Sequence, residues 1–180
     1  MKATGIVRRI DELGRVVIPK EIRRTLHIRE GAPLEIFTDR AGEIILKKYS
    51  PVGELSGDTR FIAEALNHAL GVTACVCDRE TVVSAAGSLR KELMDRPISE
   101  GLDHVIQQRR TLAAHQSGAQ AMPVTGGPQP CQAAVVAPIL SLGDPVGAVL
   151  LIQEGGRESD AHQQAMAELA ADFLGRQMET

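Results

Sequence analysis

The sequence predicts an α+β protein of two modules, a small N-terminal ββαββ unit followed by a larger antiparallel sheet with flanking helices. Three observations lead there. Apolar residues switch repeatedly between strand-length runs and helical spacing, Pro, Gly and Ser punctuate residues 50–57, and the charge balance changes sign at the same place. The first 50 residues carry 11 Lys and Arg against 7 Asp and Glu, whereas the remainder carry 9 against 16. Opposite signs imply separate tasks, the basic module facing a polyanion and the acidic one avoiding it.

In the first module, residues 4–10 and 15–18 are β-like runs joined through Asp11-Glu12-Leu13-Gly14, a hairpin pattern. Pro19 suits the first position of a helix, where its missing N–H would have no partner anyway, and a helix to Leu26 follows. Ile22 and Leu26 share its core side, while Lys20, Arg23, Arg24 and His27 take the other sides. Leu34–Thr38 and residues 43–48 then read as two strands around an Asp39-Arg40-Ala41-Gly42 turn. So small a unit is marginal alone, and Val16-Val17-Ile18 and Ile44-Ile45-Leu46 are apolar without alternation, so both faces need cover. A homodimer supplies it.

Residues 51–57 read as a linker between a domain at 1–50 and another at 58–180. A helix over 58–70 carries Phe61, Ile62, Ala65, Leu66, Ala69 and Leu70 as its apolar stripe, with Gly71 as C-cap. Strands follow at 72–77 and 82–86, a helix at 98–109, an ambiguous stretch at 113–124 and a loop at 123–130. Two apolar strands, 133–142 and 146–153, flank a Gly143-Asp144-Pro145 turn. A long helix over 159–178 closes the chain, with Met166, Leu169, Ala170, Phe173 and Leu174 on its apolar face.

Composition narrows the function. Hydrophobic residues at 43% and charged ones at 24% specify a folded protein, and no apolar run has membrane-spanning length or signal-peptide form, which predicts a cytoplasmic chain. Aromatics at 2%, with no Trp, exclude a base-stacking platform for single strands. Cys75, Cys77 and Cys131 make no C-x-x-C pair, and His68, His104, His115 and His162 make no ligand spacing, so neither a metal nor a cofactor is expected. Gly126-Gly127 and Gly155-Gly156 lack the strand, helix and Lys-Ser/Thr context of a phosphate loop.

The run from Gly5 to Leu26, above all Leu13-Gly14-Arg15-Val16-Val17-Ile18-Pro19-Lys20-Glu21-Ile22-Arg23, resembles the AbrB-type swapped-hairpin DNA-binding domain. The order of elements after residue 57 resembles a GAF-like sensor domain. Together they resemble a family of late regulators in endospore-forming bacteria. The resemblance implies a transcription regulator that activates some sporulation genes and represses others. It also implies an N-terminal β-barrel dimer made by exchanging hairpins, and a homotetramer assembled through the C-terminal domains.

At the matching positions, Arg8, Arg15, Arg23 and Arg24 are the DNA contacts that the resemblance implies, and Lys2, Arg9 and Lys20 add long-range attraction. Arginine suits this, since its planar fork bridges phosphate oxygens or pairs with guanine O6 and N7. A two-fold axis would double the set, and readout would lean on phosphates and DNA shape, with loose sequence preference. Two alternatives remain at this point: an antitoxin-type autorepressor, and a GAF-type thiol-dependent reductase using the cysteines. A GAF-like domain also leaves room for a small-molecule ligand, whose identity the residues do not declare.

Overall fold

The computed structural model describes residues 5–26, 28, 30–114, 120–126, 131–152 and 159–179. The chain divides into two compact units, Met1–Tyr49 and Ser50–Thr180. The first contains helix α1 (Lys20–Thr25) and the antiparallel pair β1 (Leu34–Thr38) and β2 (Ile44–Lys48), in which Ile36 stands opposite Leu46. Asp39 builds the connecting turn, its carboxylate accepting from the N–H groups of Ala41 at 3.0 Å and Glu43 at 2.8 Å.

The expected first hairpin is realised only at its tip. Asp11 donates its N–H to the Arg15 carbonyl at 3.1 Å and Gly14 to the Asp11 carbonyl at 3.0 Å, but residues 5–19 form no strand. A strand exists only through its ladder, and these arms find no such ladder among the described residues. The expected core side of α1 is likewise open: Ile22 is half-buried and Leu26 is 54% exposed.

Residues 51–57 are not the expected linker. Helix α2 (Pro51–Glu54) begins with Pro51, is capped by Ser50 Oγ accepting from the Gly53 N–H at 3.0 Å, and sends Val52 completely into the core of the second unit. Helix α3 (Ser56–Leu70) follows at once and ends at Gly71, whose φ of 67° is the left-handed cap.

The second unit is an antiparallel sheet in the order β4-β3-β8-β7-β5, with β6 also on β7. These strands are β3 (Thr73–Asp78), β4 (Val82–Ala86), β5 (Leu112–Ala113), β6 (Met122–Pro123), β7 (Gln132–Ser141) and β8 (Asp144–Ile152). Helices α3 and α6 (Ala161–Gln177) cover one face around Val76, Val149, Leu151 and Leu174. Helices α4 (Arg90–Leu93) and α5 (Glu100–Gln107) cover the other, around Cys75, Leu93, Ile106 and Leu150. Because both faces are covered, β7 and β8 are continuously apolar. Backbones approach so closely that a Cβ on Gly147 would meet the Cys77 carbonyl oxygen, and one on Gly175 that of Leu140.

Three local expectations change here. The β7–β8 turn is Leu142-Gly143, with φ of 49° and 86°, and Pro145 lies inside β8; two left-handed residues match the twist of a tight hairpin. Helix α5 starts at Glu100 because Ser99 caps it, leaving Ile98 bridged to Thr125. Finally, Phe61 on α3 (72% exposed) and Leu169 on α6 (64%) face outward, Phe173 is only partly covered, and Leu66, Ala167 and Ala171 belong to the core on the sheet side.

Candidate nucleic-acid interface

The cationic residues named from sequence lie on two local frames. Arg8 and Arg9 precede the Asp11–Arg15 turn and Arg15 closes it, all three exposed. Lys20, Arg23 and Arg24 are brought together by α1, with Lys20 and Arg24 exposed and Arg23 half-buried. Lys2 falls outside the described residues. Arg8 donates from Nη1 to the neighbouring Val7 carbonyl at 3.2 Å, a local contact that leaves the guanidinium at the surface. The Nε of Arg23 is shielded from solvent and meets no acceptor among the described residues.

Arg15 is the most constrained of the set. Its Nε donates to Asp11 Oδ2 at 2.7 Å, while Asp11 Oδ1 accepts from the N–H groups of Arg15 at 2.8 Å and Leu13 at 3.0 Å. The Arg15 N–H, then its guanidinium, then the Leu13 N–H hold the Asp11 carboxyl below its ordinary value of 3.8. Gly14, at φ 75°, provides the left-handed residue that lets the turn close around the carboxylate. Sequence reasoning passed over Asp11. The signal was present in Asp-x-x-Gly-Arg, an acidic acceptor set before a left-handed residue.

The second unit holds the cysteines in a different environment. Cys75 and Cys77 lie fully buried on β3, and Cys131 is half-buried before β7. Burial, with Cys131 nearby, pushes the Cys75 thiol up to about 12, and burial drives Cys77 upward as well. A reductase needs a thiolate that substrate can reach, and these two side chains offer neither. Arg79, two residues after Cys77, donates from Nε to Asp103 on α5 at 3.1 Å, and Gln107 donates to the same carboxylate at 2.7 Å. His68, His104 and His162 are exposed, while His27 and His115 fall outside the described residues.

Among the described residues, no helix is long and apolar enough to cross a membrane, and no three His, Cys, Asp or Glu side chains gather as a metal site requires.

Comparison with known proteins divides the chain similarly. Residues 54–179 match the family described as stage V sporulation protein T C-terminal, transcription factor. Residues 7–54 match antidote-toxin recognition MazE, bacterial antitoxin. Stage V sporulation protein T of Bacillus subtilis (strain 168) is 48% identical over 180 residues, covering 99% of each chain. The transition state regulatory protein AbrB of the same organism is 56% identical over an alignment of 69 residues that covers 35% of this chain and 71% of that protein. The GAF-B domain of DevS from Mycobacterium smegmatis shares the second unit's fold, with a TM-score of 0.53 at 19% identity over 69% of this chain and 92% of that one. The fold is therefore α+β, with an AbrB-like N-terminal domain and a GAF-like C-terminal domain, and the chain belongs to the stage V sporulation protein T family of transcription factors.

Proposed function

We propose that this sporulation transcription regulator binds duplex DNA through Arg8, Arg15, Arg23 and Arg24, with Lys2, Arg9 and Lys20 adding long-range attraction. The observation that carries this is the 69-residue match to a transition state regulator, spanning a unit whose Arg8, Arg15 and Arg24 are exposed. The working form is a homodimer in which residues 1–50 exchange strands. Its support is the apolar surface left open on one chain: Val7, Leu13, Val16 and Val17 are all exposed. Residues 51–57 belong to the GAF-like module as helix, with Val52 in its core. Dimers pair into a homotetramer through α3 and α6, supported by the outward Phe61, Leu169 and Phe173.

The regulator activates some genes and represses others in the cytoplasm, and readout leans on phosphates and duplex shape. The GAF-like domain assembles and regulates without catalysis. Burial of Cys75 and Cys77 supports that over a thiol-dependent reductase, and the 54–179 match supports it over an antitoxin, whose family reaches only residue 54.

If about eight phosphates are neutralised per dimer, log affinity falls with log salt at a slope of roughly −7. Titration of a labelled duplex at several salt concentrations measures it. The Arg15→Ala, Arg23→Ala double variant should remain folded by circular dichroism and bind all sequences more weakly. Affinity indifferent to salt, or a folded double variant binding like the parent, defeats this assignment.

A further inference from the structure

Asp11 sits on the module proposed to meet DNA, where a bare carboxylate would repel phosphate. Its charge is instead spent locally, on two backbone N–H groups and on the Nε of Arg15. That single-point contact leaves the Nη donors of Arg15 without an acceptor among the described residues. It also ties down the first part of a side chain that is otherwise 70% exposed and rich in rotamers.

We infer that Asp11 is a positioning residue for DNA binding: it holds Arg15 with its Nη edge turned out, so the guanidinium is ordered before duplex DNA arrives. The inference rests on the assignment of Arg15 as a DNA contact. Its physical basis is preorganisation, since a side chain already held in its bound rotamer loses less entropy on association.

Charge alone and positioning predict opposite signs, which makes the substitution Asp11→Asn informative. Asn keeps an oxygen for the Leu13 and Arg15 N–H groups but offers the guanidinium no carboxylate. Removing a negative charge from a DNA-facing surface should tighten binding if electrostatics is all that matters. Positioning predicts that Asp11→Asn weakens binding about three- to tenfold, the range spanned by immobilising one rotamer-rich side chain at an interface.

The test is a two-by-two cycle on the full chain, Asp11→Asn and Arg15→Ala singly and together. Binding is read against a labelled random-sequence duplex at fixed salt, and fold and assembly are checked by circular dichroism and sedimentation. Asp11→Asn should weaken the parent but leave the Arg15→Ala background unchanged or tighter. Equal or tighter binding by Asp11→Asn in the parent overturns the inference, as does an equal loss in both backgrounds, which would mean Asp11 acts through the turn alone. If Arg15→Ala itself binds like the parent, the DNA-contact assignment of Arg15 fails, and with it the role of Asp11. Should Asp11→Asn disturb the fold, Asp11→Ser, whose hydroxyl can still cap the turn, replaces it under the same criteria.

Discussion

The two units differ most in what they bury. In Ser50–Thr180, both sides of the sheet are packed with fully covered side chains, Val76 and Val149 with Leu174 of α6 on one and Cys75 and Leu150 with Ile106 of α5 on the other. In Met1–Tyr49, Pro19 is the one buried residue among those described, and apolar side chains such as Val7 and Val17 are 85% and 70% exposed. The contrast teaches that similar apolar content yields a core only where the chain can place a second layer over its strands. The C-terminal unit has helices for that purpose. Among its described residues the N-terminal unit has one six-residue helix with no buried side chain, and the second layer is what the proposed partner chain would supply.

The sharpest way to break this comparison is to substitute equivalent leucines. Leu150→Ala empties a fully buried site beneath α5, and the expected loss is about 4 kcal/mol by analogy with buried leucine truncations. In denaturant unfolding that loss should not depend on protein concentration. Leu46→Ala, 44% exposed in one chain, should cost about 2 kcal/mol if a partner covers it, at the low end of such truncations. Its unfolding midpoint should then rise with protein concentration, as should the parent's N-terminal transition. A cost near zero and independent of concentration would mean that the apolar surface of the first unit stays open.

A smaller effect sharpens the description of the second unit. Cys75 has its pKa raised in the folded state, to about 12 against an ordinary 9.0. A raised group stabilises fully below its unfolded pKa and loses that contribution as pH climbs toward the folded value. Moving from pH 8 to pH 10 should therefore cost the parent about 1 kcal/mol more than Cys75→Ala, from one unit of pH above the unfolded pKa. Paired denaturant titrations read the difference, and an identical pH dependence in the two proteins would place Cys75 in a wetter setting than its burial implies.

Much of this was legible before any coordinates. The charge split, the Gly71 cap, the Asp39 turn and the strand pairs at 34–48 and 73–86 depend on interactions a few residues long, and sequence carries those directly. The composition of residues 50–57 misled because Pro, Gly and Ser are as much at home in a capped first helical turn as in a loop. What separates the two cases is Val52, and its destination is a sheet built from strands far along the chain.

The candidate interface divides in the same manner. Its arginines could be named from motif and charge, because residue type alone fixes what a guanidinium can recognise. Tertiary structure decided which of them stand free: Arg23 is half-buried with a shielded Nε, and Arg15 is tethered to Asp11 across a turn closed by Gly14. It also decided that Phe61, Leu169 and Phe173 look away from the sheet although helical spacing had put them on apolar stripes. Periodicity shows that a helix has an apolar side, but a stripe wide enough for two neighbours does not say which part faces its own sheet. For α6 the close approach of Gly175 to the Leu140 carbonyl marks the part that meets β7, since only a residue without a Cβ lets helix and strand come so near.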